Sequence, residues 1–150
     1  MRPLAAEGPV VTVAHAYLPQ LFAMVALSFA IAVCILVTRV RELITGRKAM
    51  AYYEDWDGTG ASPAVMRPTR QLANLFEFPV LFYTVIVLII VLGLRDPWLA
   101  GFATTYVALR WAHAMVHLAF NRLWVRTPIF MLGQFLLLGL WVRFGILAYS

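Results

Sequence analysis

Two runs of seventeen residues without a charge, at positions 21–37 and 78–94, limit the folds open to this chain more than anything else in it. A helix needs about 20 mainly apolar residues to cross a bilayer. Each run reaches that length once its flanks are counted. The remaining composition agrees: 63% of the 150 residues are apolar and 13% are charged, more apolar surface than a soluble core of this size can use. The formal charge of +5 is small, and its arginines flank or interrupt apolar runs. They do not form the basic face of a soluble domain, so no nucleic-acid partner is expected.

The beginning of the chain does not look like a cleaved leader. Residues 1–13 hold one arginine, one glutamate and two prolines. The first apolar run is followed by Arg39 and Arg41, not by small residues at a cleavage site. It reads as a retained span. A single cysteine, Cys34, lies inside it and allows no intrachain disulfide; it reads as a small packing residue.

Taken in order, the sequence predicts one all-α integral membrane domain over residues 1–150, a bundle of four transmembrane helices at about 18–40, 69–94, 98–120 and 128–149. The stretch 41–66 is the long polar connection. It holds Arg47, Lys48 and an acidic cluster (Glu54, Asp55 and Asp57), read as a helix extension followed by a solvated, turn-rich loop. Arg95, Asp96 and Pro97 predict a tight turn, which makes the second and third spans antiparallel neighbours. The fourth span is expected to begin at Pro128, a favourable first helical position. Arg143, near its far end, is placed to reach the interface. Trp98 fits an interfacial aromatic belt. Gly93, Gly101, Gly133 and Gly139 are expected to aid close helix packing.

Positive charge sorts the loops. The first connection and its flanks carry Arg39, Arg41, Arg47, Lys48, Arg67 and Arg70, and the third carries Arg122 and Arg126. The N-terminus offers Arg2 and the second connection Arg95. Connections one and three are therefore expected in the cytoplasm, with both termini on the non-cytoplasmic side. The expected location is multi-pass, in a cell inner membrane, with lipid as the surrounding partner.

A polar constellation follows from spacing. Arg70, Asn74 and Glu77 share one face of a continuous helix, as do Arg110, His113 and His117. At about 1.5 Å per residue, Asn74 lies roughly 7 Å and Glu77 roughly 12 Å into the second span. By the same rise His117 lies roughly 6 Å, His113 roughly 12 Å and Arg110 roughly 16 Å into the third. Glu77 is thus expected to meet Arg110 or His113, and Asn74 to meet His117. Gln134 of the fourth span reaches similar depth. A carboxylate at that depth costs several kcal/mol unless paired, so Glu77 with Arg110 can be purely structural. The cations Arg70, Arg110, Arg122 and Arg126 nevertheless outnumber Glu77, which suits a pocket for an anion, ideally one bearing carboxylates. The pair His113 and His117, with Glu77, has the residue types of a two-histidine, one-carboxylate metal set. The surrounding arginines argue against a cation, and no metal site is expected.

These residues together carry a resemblance. Arg70-x-x-x-Asn74-x-x-Glu77 followed by Phe78 and Pro79, then Arg110 deep in the third span, then Arg122, Arg126 and Gln134, resembles the MAPEG family, the membrane-associated proteins in eicosanoid and glutathione metabolism. The match runs over about residues 18–143, and a bacterial-type member is implied. The resemblance implies a homotrimer of four-helix subunits with glutathione, as co-substrate, bound between neighbours near the cytoplasmic face. It implies that Arg70, Asn74 and Glu77 contact glutathione, that Arg110 pairs with Glu77 and shapes the pocket, and that Gln134 lines it, with His113, His117 and Arg122 nearby. It also implies that Arg126 is the catalytic group, sitting near the thiol and lowering its pKa.

The implied reaction is conjugation or peroxide reduction with an apolar small-molecule acceptor. The chain departs from the family at Leu72 and Ala73, where polar or basic residues are common, at His117, where tyrosine is common, and at Phe130, where an aromatic hydroxyl is expected. These departures keep open a second reading, a non-catalytic membrane protein that binds a lipid or anionic ligand. A small transporter driven by titration of Glu77 is the third.

Overall fold

A computed structural model describes residues 8–54 and 56–150; Arg2 and Asp55 lie outside them. The described residues form six helices and no strand: α1 (Pro9–Ile44), α2 (Ala51–Glu54), α3 (Pro63–Leu75), α4 (Pro79–Val91), α5 (Pro97–Ala119) and α6 (Leu123–Ala148). α3 and α4 follow each other as one bent rod, so four rods pack side by side, α5 most extensively against α6.

Three of the rods are long and apolar enough to cross a membrane: α1, the α3–α4 rod and α6. α5 has 23 residues, about 34 Å of helix, but it carries Arg110, His113 and His117 and is not one of the three. α1 is longer than the sequence led us to expect. Its 36 residues reach about 54 Å, well beyond a hydrocarbon core of about 30 Å. It closes at Gly46, whose φ of 66° lets Gly46 N–H reach the Leu43 carbonyl and Arg47 N–H the Glu42 carbonyl.

The core joins all four rods. Met24 and Leu27 of α1, Phe82 and Ile86 of α4, Leu99 and Tyr106 of α5 and Leu140 of α6 are fully buried. Phe82 stacks on Tyr106 with centroids 4.8 Å apart. Polar contacts add specificity between α1 and α5: the Trp111 indole donates to the Ala23 carbonyl at 3.2 Å, and the Thr104 hydroxyl meets the Gln20 amide at 3.0 Å. The outward face of α1, with Phe22, Phe29 and Leu36 exposed, is apolar as a lipid-facing surface must be. The run 85–91 divides its faces: Val85, Ile86 and Ile89 are core, and Val87 and Val91 face outward.

The connections correct several expectations. The second rod is not continuous from residue 69 to 94. Pro79 has no N–H to offer the Leu75 carbonyl and its ring crowds that carbonyl, so α3 stops at Leu75 and the chain bends over residues 76–78. α6 starts at Leu123, not at Pro128, which sits inside the helix. The 41–66 connection is not a free solvated loop. Tyr53 and Trp56 stack at 5.6 Å, the Arg39 guanidinium lies 4.5 Å from the Trp56 ring, and the Tyr53 hydroxyl donates to Glu42 at 2.8 Å. Of the four glycines expected at helix contacts, Gly139 faces α5, where a Cβ would lie 3.7 Å from the Phe102 ring; Gly93 instead makes the turn after α4 with φ 65°.

At the α4–α5 turn, Asp96 accepts from the backbone N–H groups of Trp98 and Leu99, both at 3.0 Å, and so caps α5, with Pro97 as its first residue. Arg143 forms an ion pair with Asp96 and ties the far end of α6 to this cap.

Candidate functional site

α5 presents Tyr106, Arg110, His113 and His117 at spacings of four, three and four, one helical face, and all four are buried. Arg110 is 2% exposed and lies between two rings, 4.9 Å from Tyr106 and 5.2 Å from Phe130. A desolvated cation over an aromatic face gains about 2 kcal/mol. That offsets only part of a burial penalty of several kcal/mol, because Arg110 Nε and Nη2 have no hydrogen-bond partner. Neither ring nitrogen of His113 has one either.

One turn further along, α5 ends. Asn121 takes a left-handed φ of 48°, which asparagine tolerates better than most residues, and its N–H bonds the Val116 carbonyl at 2.8 Å. The Arg67 guanidinium, from α3, reaches the Leu118 and Ala119 carbonyls at 3.4 and 3.5 Å. The reversal at Asn121 lays the first turn of α6 back against α5. Arg126 Nη1 then meets His117 Nδ1 at 2.8 Å and Asn121 Oδ1 at 2.7 Å. His117 Nε2 is buried without a partner.

Asn74, His113, Arg126, Thr127 and Phe130 enclose a polar cavity of about 180 Å³. A second, apolar groove of about 580 Å³ runs along α4 and α6 between Phe78, Leu81, Gln134, Phe135, Leu137, Leu138 and Trp141. Both amide atoms of Gln134 and the indole nitrogen of Trp141 are buried there without partners. Phe130, which lines the polar cavity, has its ring 5.5 Å from His113 and 6.2 Å from Phe78, a residue of the groove wall.

The structure therefore brings Asn74, His113 and Arg126 together, with Arg110 stacked on the Phe130 wall and His117 beside Arg126. It puts Gln134 in the apolar groove. Arg70 and Arg122 are exposed and line neither space. Glu77 is the clearest correction. It lies in the 76–78 bend, exposed, and does not pair with Arg110 or His113. The cause is Pro79: once the helix breaks, the seven-residue spacing from Arg70 no longer holds Glu77 on the face of Asn74. Asn74 does not pair with His117 either: the His117 Nδ1 lies against Asn121 and Arg126, and its Nε2 has no partner. Asn121 and Thr127 were not anticipated. Asn121 carried a signal, an asparagine between the end of an apolar helix and the next basic turn, where a left-handed closing residue is common.

Packed helical rods, three of them fit to cross a bilayer, define an all-helical, multi-pass integral membrane protein. The chain belongs to the MAPEG family, whose sequence model matches residues 18–146, nearly its whole length. No curated protein and no solved structure matches it.

Proposed function

We propose that this MAPEG protein is a thiol-dependent membrane enzyme, a glutathione transferase or peroxidase acting on apolar electrophiles. The observation that carries the reading is Arg126 in a polar cavity that contains no carboxylate, with Arg110 buried beside it and Glu77 outside. A cationic pocket of this kind favours an anion, and a cation next to a thiol favours the thiolate, which is the nucleophile. The thiol proton leaves to water. Sulfur then bonds the electrophilic carbon while the leaving group departs with its electron pair; with a hydroperoxide it attacks the terminal oxygen, the O–O bond breaks, the alkoxide leaves and takes a proton from water, and a second glutathione reduces the resulting sulfenic acid to the disulfide and water.

The two spaces divide the substrates between them. At about 180 Å³ the polar cavity is smaller than the ~300 Å³ at which ligand pockets begin, so it suits the thiol end of a tripeptide. A second copy of the chain would wall in the rest, in keeping with a homotrimer. The groove, at about 580 Å³, suits an apolar acceptor arriving from lipid. In this arrangement α5 is the fourth crossing, shielded by its neighbours. The pocket faces the cytoplasm, both termini lie on the other side, and the host is a cell inner membrane.

The test is calorimetric titration of the detergent-solubilised protein with glutathione, Arg126→Gln serving as control. Binding at micromolar to millimolar concentration that weakens about tenfold or more in the variant is expected, since a charge-assisted contact is worth about 1.5–3 kcal/mol. Absence of binding by the unmodified protein would favour the second reading, a non-catalytic membrane protein for a lipid or anionic ligand. One observation speaks for it: Phe130, in the wall of the polar cavity, brings no hydroxyl to the thiol. A transporter driven by Glu77 has less support, because that carboxylate stands outside the bundle.

A further inference from the structure

We propose that His117 and Asn121 are positioning residues for Arg126: the Asn121 side-chain oxygen accepts from one nitrogen of its guanidinium, the His117 ring donates to the same oxygen and holds it in place, and together they aim the rest of the guanidinium at the cavity. The inference deepens the thiol reading and rests on it for its catalytic consequence.

The geometry is a triangle. Arg126 Nη1 is 2.8 Å from His117 Nδ1 and 2.7 Å from Asn121 Oδ1, and those two atoms are 2.8 Å apart. A guanidinium only donates and does not lose its proton in proteins. Three atoms so close cannot all bond to one another, and the Asn121 oxygen can only accept. It takes one hydrogen from Arg126 Nη1 and one from His117 Nδ1, so the imidazole carries its proton on Nδ1 and holds the oxygen that holds the arginine. With Nη1 anchored, the N–H groups on Nε and Nη2 remain for an anion in the cavity that Arg126 lines.

Both residues are themselves fixed. His117 is 2% exposed on a helical turn of α5. Asn121 is held by its left-handed backbone and its bond to Val116. A long arginine at a helix start would otherwise spread over many rotamers, at a cost in side-chain entropy of up to about 2 kcal/mol when a ligand orders it. Here the protein has already ordered it, which is the preorganisation that a charge-stabilising group needs.

The test does not depend on a ligand at its first step. The detergent-solubilised protein is treated with an arginine-selective dicarbonyl, and modification of Arg126 is read by mass spectrometry as a ratio to the exposed Arg122 in the same molecule. Asn121→Gly removes the acceptor, and glycine keeps the left-handed backbone; His117→Leu removes the donor that fixes it. His117→Gln keeps a neutral N–H donor. The ratio should rise about fivefold in the first two, the factor of one lost hydrogen bond, and His117→Gln should recover most of the protection. An unchanged ratio in both His117→Leu and Asn121→Gly, or equal rises in His117→Leu and His117→Gln, overturns the positioning role.

The second step uses turnover. His117→Leu should lower kcat for thiol conjugation about tenfold or more while KM for glutathione moves less than about threefold, because orientation acts on the thiolate more than on binding. A KM effect alone overturns the role at the sulfur. Failure of the unmodified protein to bind glutathione overturns the thiol reading and that role with it, while the labelling ratio still decides the geometry.

Discussion

Replacing Asp96 should separate a helix cap from an ion pair, and the structure supplies the magnitudes. Asp96 Oδ1 accepts from Trp98 and Leu99 N–H, and the same carboxylate pairs with Arg143 of α6. Losing an N-cap costs about 1 kcal/mol. A hydrogen bond to a charged group is worth about 1.5–3 kcal/mol, but the Arg143 side chain is 34% exposed and would be partly rescued by water, so about 1–2 kcal/mol is expected from the pair. Asp96→Asn keeps a competent cap and should lose only that 1–2 kcal/mol. Asp96→Ala should lose about 2–3 kcal/mol in all. A cycle with Arg143→Met should give a coupling of about 1–2 kcal/mol.

The assay for these variants is reversible unfolding in mixed micelles as the fraction of denaturing detergent rises. Acid provides a second reading of the same contact. The hydrogen bond from Arg143, backed by the two backbone N–H groups, holds the Asp96 carboxyl below the usual carboxylate range. In the unfolded chain it titrates near the ordinary value of about 3.9, so between the two values the unfolded state binds more protons. The stabilisation is thus present in full above about pH 5 and is lost as pH falls through the folded value. Asp96→Asn should lack this acid limb. Equal losses in the Asn and Ala variants, a coupling near zero, or an acid limb undiminished in Asp96→Asn would each refute the reasoning.

Two further outcomes test the packing around the candidate site. Gln134→Leu should stabilise the protein by about 1 kcal/mol in the same unfolding assay, because both amide atoms are buried without partners and an unpaired buried polar group costs about 1–3 kcal/mol; a loss of that size instead would mean that the amide is paired in the bilayer. Pro79→Ala restores a donor to the Leu75 carbonyl, so the helix should run on through residues 76–78 and slow the exchange of the new residue-79 amide about tenfold or more, one such factor for each 1.4 kcal/mol of local stability; free exchange there would show that something other than proline keeps the bend.

Local chemistry was the legible part of this chain. The Asp96–Pro97 start of α5 follows from a capping side chain next to a residue with fixed φ, and both act within one turn of the residues that reveal them. The buried face of α5 was also readable, because Arg110, His113 and His117 lie on one unbroken helix whose period holds throughout. The same reasoning failed across Pro79. Arg70, Asn74 and Glu77 share a face only while the helix between them continues, and a proline inside an apolar run looks the same in sequence whether it is tolerated, as Pro128 is in α6, or bends the chain, as Pro79 does. Which occurs depends on whether neighbouring rods can accept the bend, and that is a tertiary fact. Depth arithmetic could not supply the partner of His117 for a related reason: Asn121, four residues away, reaches its Nδ1 through the left-handed turn that ends α5.

The displaced Glu77 changes what the bundle must do about charge. Within one chain, Arg110 is buried with two nitrogens unpaired and no carboxylate paired with it among the described residues, and Arg126 is held by neutral groups, Asn121 and His117. Rings supply part of the stabilisation for Arg110, through Tyr106 and Phe130, but a ring quadrupole does not neutralise a charge. The low dielectric that makes this arrangement expensive also makes any arriving anion bind more strongly than it would in water. A bundle with its own internal glutamate would have spent that attraction on itself. Moving Glu77 to the bend leaves the cations of α5 and α6 without that internal counter-charge, and the bend also brings Phe78 of the groove wall against Phe130 of the polar cavity.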